Sequence, residues 1–414
     1  MIPTDRPHRE HVEPSPRVPG QAEASFESAD HSSADATPAP RAGVQTEDPI
    51  WRSITLAPIA RASLDAPDDQ RVQQLRTWLA GLQSPPGLKV ESLRIASADA
   101  SFRRYFRLDA QATTNEPRSW VAMDAPPAHE ETGPFLRVQE LLTAAGLRAP
   151  QVRAENPEQG FLLLSDFGDL TLLEAIRADP QGRWVEPRYR AAITALIRLQ
   201  SKPAQQLQSV VPAYDRSLLM RELMLYPEWY VAGLKKIQLT ARQTEQLTSA
   251  FTKLVDCALA QPRVLVHRDW HSRNLMVLAD TDEPGVLDFQ DAVYGPLTYD
   301  LVSLLRDAYI AWDEVRVLDW SVRYWEHARA TGLPVANDFG SFWRDFEWMG
   351  LQRHLKVLGI FARLHLRDGK DRYLADLPRV LGYVRETVRR YDALKPLARI
   401  IDHVEREADE ACAR

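Results

Sequence analysis

Three apolar triplets, Val264-Leu265-Val266, Leu275-Met276-Val277 and Gly285-Val286-Leu287, interrupt a region that otherwise repeats with helical periodicity. The first leads into His267-Arg268-Asp269-Trp270-His271-Ser272-Arg273-Asn274, and the third into Asp288-Phe289-Gln290-Asp291. Apolar runs this short, bounded by polar residues, predict strands rather than helices, with both polar clusters on the turns around them. The flanking sequence predicts what encloses them. Val72, Leu75, Leu79 and Leu82 share one helical face, closed by Ser84-Pro85-Pro86-Gly87. Strand-like segments follow at Leu88–Ile95, Phe102–Leu108 and Trp120–Met123, then a helix over Phe135–Ala145 ended by Gly146. Phe161-Leu162-Leu163-Leu164 reads as a buried strand broken by Ser165-Asp166-Phe167-Gly168. Beyond residue 170 helices dominate, including the stripe Tyr189, Ile193, Leu196, Ile197, Gln200 and the segments Leu218–Leu225 and Gln243–Leu259. The expected class is α+β and bilobal. Residues 66–168 would form a small antiparallel-sheet lobe and connector, 169–414 a larger helical lobe, with a cleft between them. Residues 1–65, rich in Pro, Ala, Ser, Asp and Glu, lack the apolar content to offset ordering entropy and are expected to be disordered.

The two polar clusters carry the groups that phosphoryl transfer requires: a carboxylate to take the acceptor proton, and hard oxygen ligands for magnesium. Asp269 is the expected base, placed two residues after His267 and five before Asn274. Asn274 and Asp288 are the expected magnesium ligands, with Asp291 a weaker candidate that could equally cap a turn. His267 reads as structural. His271 could touch substrate or be a partly exposed polar residue, and a zinc site from these two histidines lacks a nearby third ligand. Asp300, opening a helix with Leu301, Leu304 and Leu305, is expected to support the loop or simply cap its helix.

Composition narrows the partners. A net charge of -6 gives nothing to steer the chain toward nucleic acid or anionic membrane. No apolar run is long enough to span a bilayer, and the N-terminus lacks a secretory pattern. Two cysteines, Cys257 and Cys412, make no disulfide framework, so a reducing cytoplasmic setting is the simplest reading. No obligate protein partner is evident.

Across roughly residues 90–385 the chain resembles the aminoglycoside phosphotransferase family, a branch of the protein-kinase-like fold. Narrower wording looks like the anomeric sugar kinases of bacterial cell-wall recycling: Phe102-Arg103-Arg104-Tyr105-Phe106-Arg107, Met123-Asp124-Ala125-Pro126-Pro127, His267 through Asn274, and Leu287 through Ala292. Glu222 through Tyr230 and Gln352 through Gly359 belong to the same set. The resemblance implies ATP- and magnesium-dependent phosphorylation of N-acetylmuramate and N-acetylglucosamine at the C1 hydroxyl, giving 1-phosphates for UDP-sugar synthesis in peptidoglycan recycling. Their order of preference stays open. A kinase for another small alcohol or aminoglycoside, or a non-catalytic nucleotide-binding regulator, are the alternatives.

The chain departs from the family where the third strand should carry a lysine for the phosphates: it reads Val121-Ala122-Met123-Asp124, and the helix glutamate has no clear counterpart. Arg103 and Arg104, with Ser101, are the expected replacements at the nucleotide phosphates. Asp166-Phe167-Gly168 spells a kinase metal motif but precedes the catalytic loop, so it is assigned instead to the connector beside adenine. For the acceptor, Glu222, Trp229 and Tyr230 are sugar-binding candidates, and Arg306, Asp307, Arg353 and Lys356 could meet a lactyl carboxylate.

Overall fold

A computed structural model describes residues 69–97, 102–111 and 118–412. The expected tail at 1–65 and Ser101 lie outside the described residues. Helix α1 (Gln70–Ala80) starts at Asp69, whose side chain accepts from the amides of Arg71 and Val72. Next come strands β1 (Leu88–Ser97), β2 (Arg104–Ala110) and β3 (Ser119–Asp124), helix α2 (Gly133–Ala144), then β4 (Val152–Asn156) and β5 (Phe161–Ser165). They form an antiparallel sheet in the order β1-β2-β3-β5-β4. α2 ends at Gly146, whose φ of 71° suits a residue without Cβ.

Strand alternation divides this sheet into two faces. Phe106, Leu108, Trp120, Ala122, Phe161 and Leu163 point toward Val72, Leu75 and Leu79 of α1. Met123, Leu162 and Leu164 point the other way, against Phe135, Val138 and Leu142 of α2, in the core that continues into the helical region. β4 was not expected from sequence. It is an edge strand, Val-Arg-Ala-Glu-Asn, with no residue fully buried, so it lacks the hydrophobic alternation that marks a strand.

The helical region holds α3 (Leu172–Ala178), α4 (Val185–Gln200), α5 (Ala204–Leu207) and α6 (Arg216–Leu225), which runs into a π-helical turn at Tyr226–Leu234. α7 (Ala241–Ala260) leads to β6 (Arg263–Val266), β7 (Leu275–Met276), β8 (Gly285–Val286) and β9 (Val293–Pro296). α8 (Tyr299–Leu305), α9 (Glu314–Ala330), α10 (Phe339–Leu366), α11 (Leu377–Arg390) and α12 (Lys395–Cys412) complete it. The 28-residue α10 is the central post, packed on α6, α7, α8, α11 and the π-helical turn. Gly359 permits that crossing: a Cβ there would stand 2.4 Å from the Leu225 carbonyl. No described helix is long and apolar enough to cross a membrane.

β6 pairs with β9, and β7 with β8, both antiparallel. The loop 267–274 therefore leaves β6 and enters β7, while Asp288 follows β8. The Leu287 amide donates to the Asn274 carbonyl at 2.9 Å, extending the β7–β8 ladder and setting Asn274 beside Asp288.

Candidate active site

The loop after β6 is held from three sides. Asp300, fully buried at the start of α8, accepts the amides of His267 and Arg268 at 2.6 and 2.9 Å. Burial pushes its carboxyl up to about 7, opposed by those two N–H groups. Asp307 accepts the Ser272 amide at 2.9 Å and its hydroxyl at 2.5 Å through one oxygen, and the Tyr309 amide at 2.9 Å through the other. Glu222 holds the Arg268 guanidinium from α6, and Arg268 itself sits at φ 76°, a left-handed conformation that costs free energy for a residue with a side chain.

Asp269 stands at the crest of this loop with a side chain 43% exposed, so an acceptor can reach it. Its backbone carbonyl accepts from Asn274 Nδ2 at 3.1 Å, leaving the carboxylate free of that contact. Burial would raise its pKa, but the charges of His271, Lys356, Arg268 and Arg353 outweigh that and hold it below the ordinary carboxylate value. It is an anion at neutral pH. His271 Nε2 lies 3.8 Å from it. His267 accepts the Asp269 amide at Nδ1 (3.3 Å), and burial pushes its pKa down to about 4, so it is a neutral support.

Asp288 and Asn274 meet across the β7–β8 ladder, with Asn274 Nδ2 3.3 Å from Asp288 Oδ2. Asp288 also adopts a left-handed conformation, φ 62°, and its second oxygen accepts from Gln290 at 2.8 Å. It is open to solvent yet ringed by protein. That enclosure, with the charges of Asp269 and Asp291, raises its pKa. A cation would relieve this repulsion, and one carboxylate plus one amide oxygen is a donor set magnesium accepts when phosphates supply the rest. Among the described residues no three His, Cys, Asp or Glu side chains cluster closely enough to hold a metal unaided.

Asn274 and Asp288 line a cavity of about 630 Å³ that also reaches Arg103, Tyr105, Arg107 and the connector 165–169. Arg103 pairs with Glu130 at 2.8 Å, both side chains nearly buried. Glu130, just before α2, was not found from sequence. It lies in a stretch without periodicity, and the pair forms only through folding. In the folded chain Phe102 also stacks on His129 (4.3 Å between centroids), so the two segments meet through both neighbouring residues.

Several expected contacts fall elsewhere. Arg104 is a correction. Adjacent residues on an extended chain point to opposite faces, so when Arg103 faces the cavity Arg104 faces α1, bound to Asp69 and, at 2.6 Å, to Asp124. The Asp166 carboxylate is occupied by Arg107 (2.6 and 2.9 Å), Ser119 (2.7 Å) and the Gly168 amide (2.9 Å), though its segment lines the cavity. Glu222 is 2% exposed and lies beneath the loop rather than in a pocket: it contacts Arg268, Lys356 (2.9 Å) and Tyr214. Two cations hold its pKa down, to about 2, against burial. Arg306 is buried against Trp343 and Phe346 and pairs with Glu347 at 3.0 Å. Trp229 lines a separate groove with Met220, Met224 and Arg363. Arg353, on α10, is 3% exposed; its Nε and Nη1 meet no acceptor, and its charge acts on Asp269, Asp300 and His271.

Removing Arg104 is thus a stability experiment. Arg104→Ala is expected to destabilise the fold by about 1–3 kcal/mol, because Asp124 is wholly buried and would keep only its Arg71 partner. Denaturant unfolding checks this, and an unchanged midpoint would contradict it.

Residues 92–339 match the family model described as "Phosphotransferase enzyme family". The chain is 46% identical over 341 residues to the N-acetylmuramate/N-acetylglucosamine kinase of Neisseria meningitidis serogroup B, covering 82% of this chain and 97% of that one. It is 43% identical over 345 residues to the protein of the same name from Pseudomonas aeruginosa, covering 81% and 97%. Among solved structures, a candidate aminoglycoside phosphotransferase from Ralstonia eutropha superposes with a TM-score of 0.54 at 14% identity, covering 78% of this chain and 97% of that one. The GDP complex of aminoglycoside 2'-phosphotransferase-IIIa does so with a TM-score of 0.50 at 15% identity, covering 77% and 98%. These structural likenesses establish the kinase-like fold, and the sequence matches establish more: the chain belongs to the phosphotransferase enzyme family.

Proposed function

We propose that the protein is an ATP- and magnesium-dependent kinase that phosphorylates the anomeric C1 hydroxyl of N-acetylmuramate and N-acetylglucosamine. The observation that carries this reading is an ionised, reachable Asp269 on a loop whose far end brings Asn274 to 3.3 Å from Asp288. The amino sugar comes from the names of relatives 43–46% identical over most of the chain.

In this reading the acceptor oxygen attacks the γ-phosphorus of ATP while its proton passes to the Asp269 carboxylate. The bond from that phosphorus to the β,γ-bridging oxygen breaks, and its electron pair leaves with ADP. Asn274 and Asp288 would hold magnesium, which supplies charge neutralisation at the phosphates. The Arg103–Glu130 pair takes the part of the family's lysine and glutamate, with Arg103 held toward the phosphates. The connector 165–168 would receive adenine through its backbone. Residues 66–168 and 169–414 then act as the nucleotide-binding and catalytic lobes.

A pocket for a polycationic aminoglycoside fits poorly here. Arg268, Arg353 and Lys356 all bear on Asp269, a field that favours neutral or anionic acceptors. The decisive experiment is an ATP assay across a panel of sugars, with NMR of the product. Phosphate on C1 of the amino sugars is expected, and phosphate on C6, or turnover with aminoglycosides alone, would overturn the reading. Separately, Arg103→Met is expected to raise the KM for ATP about tenfold, the effect of losing one charge-assisted contact. An unchanged KM would remove Arg103 from the phosphate site.

A further inference from the structure

The extended chain through β2 turns Arg103, Tyr105 and Arg107 toward the cavity and Arg104, Phe106 and Leu108 toward α1. At the usual rise of a strand, the three cavity-facing residues span roughly 13 Å. The two at the ends are anchored by protein. Arg103 pairs with Glu130, while Arg107 holds Asp166 at 2.6 Å and the Gly168 carbonyl at 2.9 Å in the connector. Tyr105, between them, is held differently. Its half-buried ring packs on the main core, and its hydroxyl has no hydrogen-bond partner among the described residues. A phenol on a cavity wall with its donor unused is placed to meet an acceptor on a ligand.

The surroundings of the hydroxyl indicate which acceptor. Burial raises its pKa above the ordinary tyrosine value; Arg103 opposes this, and the charges of Asp288, Glu130 and Asp291 add to it. The phenol is therefore a protonated donor at neutral pH, within the field of both Arg103 and the carboxylate expected to hold magnesium. Across the β2–β3 ladder its partner is Met123, wholly buried and apolar, on the strand that lacks the family's lysine. β3 offers no cation at this level, so a polar contact has to come from β2. We propose that the Tyr105 hydroxyl donates a hydrogen bond to the diphosphate of the bound nucleotide, between Arg103 at the phosphate end and Arg107 at the connector. The inference rests on the ATP-dependent kinase reading and adds to it a nucleotide-binding residue on the strand beside the missing lysine.

The test is a competition titration in which ADP and adenosine each displace a fluorescent ADP analogue, in the presence of magnesium, from wild type and from Tyr105→Phe. The substitution keeps the packed ring and removes only a hydroxyl that no described residue engages, so the thermal unfolding midpoint should not change. ADP should bind the variant about tenfold more weakly, the effect of losing one hydrogen bond to a charged group. Adenosine, which has no phosphate, should bind both proteins equally. An unchanged affinity for ADP, or an equal loss for ADP and adenosine, overturns the assignment. In either case binding of ADP by the wild type leaves the nucleotide reading intact, whereas a wild type that takes up no labelled ADP overturns both.

Discussion

Asp269→Asn is expected to lower kcat by about 10²–10⁴-fold while the affinity for magnesium–ATP stays close to wild type. The substitution keeps the size of the side chain, and the loop bonds in place stay in place. Asn274 donates to the Asp269 backbone carbonyl, not to its carboxylate, and the amides of His267, Arg268 and Ser272 are held by Asp300 and Asp307. What disappears is the anion proposed to take the acceptor's proton. Nucleotide contacts are expected on the other side of Asn274, so binding should survive. Single-turnover phosphate transfer and calorimetric titration with ATP measure the two quantities separately. A variant retaining a tenth of wild-type kcat would show that another group takes the proton.

Glu222→Ala should be the most damaging change outside the cavity, with a loss of about 3–5 kcal/mol. The carboxylate is buried between Arg268 and Lys356, and removing it leaves two cations facing each other with Tyr214 and Gln352 as neutral neighbours. The local consequence matters as much. Arg268 occupies a left-handed conformation one residue before the base, and its side-chain anchor helps to keep it there. Turnover should therefore fall along with the denaturation midpoint. The pH dependence has a definite sign. Because the folded protein holds the Glu222 pKa at about 2, below its ordinary 4.5, its stabilisation is present above that ordinary value and is lost as pH falls toward 2. In Glu222→Ala the decline in stability with acid should be shallower than in wild type. An equally steep decline would show that other carboxylates govern acid unfolding.

The loop 267–274 and Asp288 were legible because their information is local. The residues are close in sequence, and apolar triplets announce the strands that present them. Helices with a clear stripe, such as α1, α4 and α7, were equally legible. β9 was not, because Val293-Tyr294-Gly295-Pro296 ends in turn-forming residues and becomes a strand only by pairing with β6. The π-helical turn at 226–234 has no periodicity signal of its own, and Trp229 on it lines a groove apart from the cavity of Asn274 and Asp288. Glu222 was misjudged on residue type. Its position gave a usable warning, since it lies four residues after Leu218 and three after Leu219, on the buried face of α6. The Arg103–Glu130 pair belongs to a different category. Nothing in either segment alone indicates it, since it depends on how the sheet meets α2.

Asp307 ties Ser272 to Tyr309 through its two oxygens, and that single side chain sets a fixed spacing between two segments. The backbones of the catalytic loop and of the segment after α8 keep a constant separation whatever side chains project from them. Side chains around the loop can therefore be exchanged while the Ser272–Tyr309 separation holds. A substitution of Asp307 is the change that would release the loop and the segment after α8 from one another.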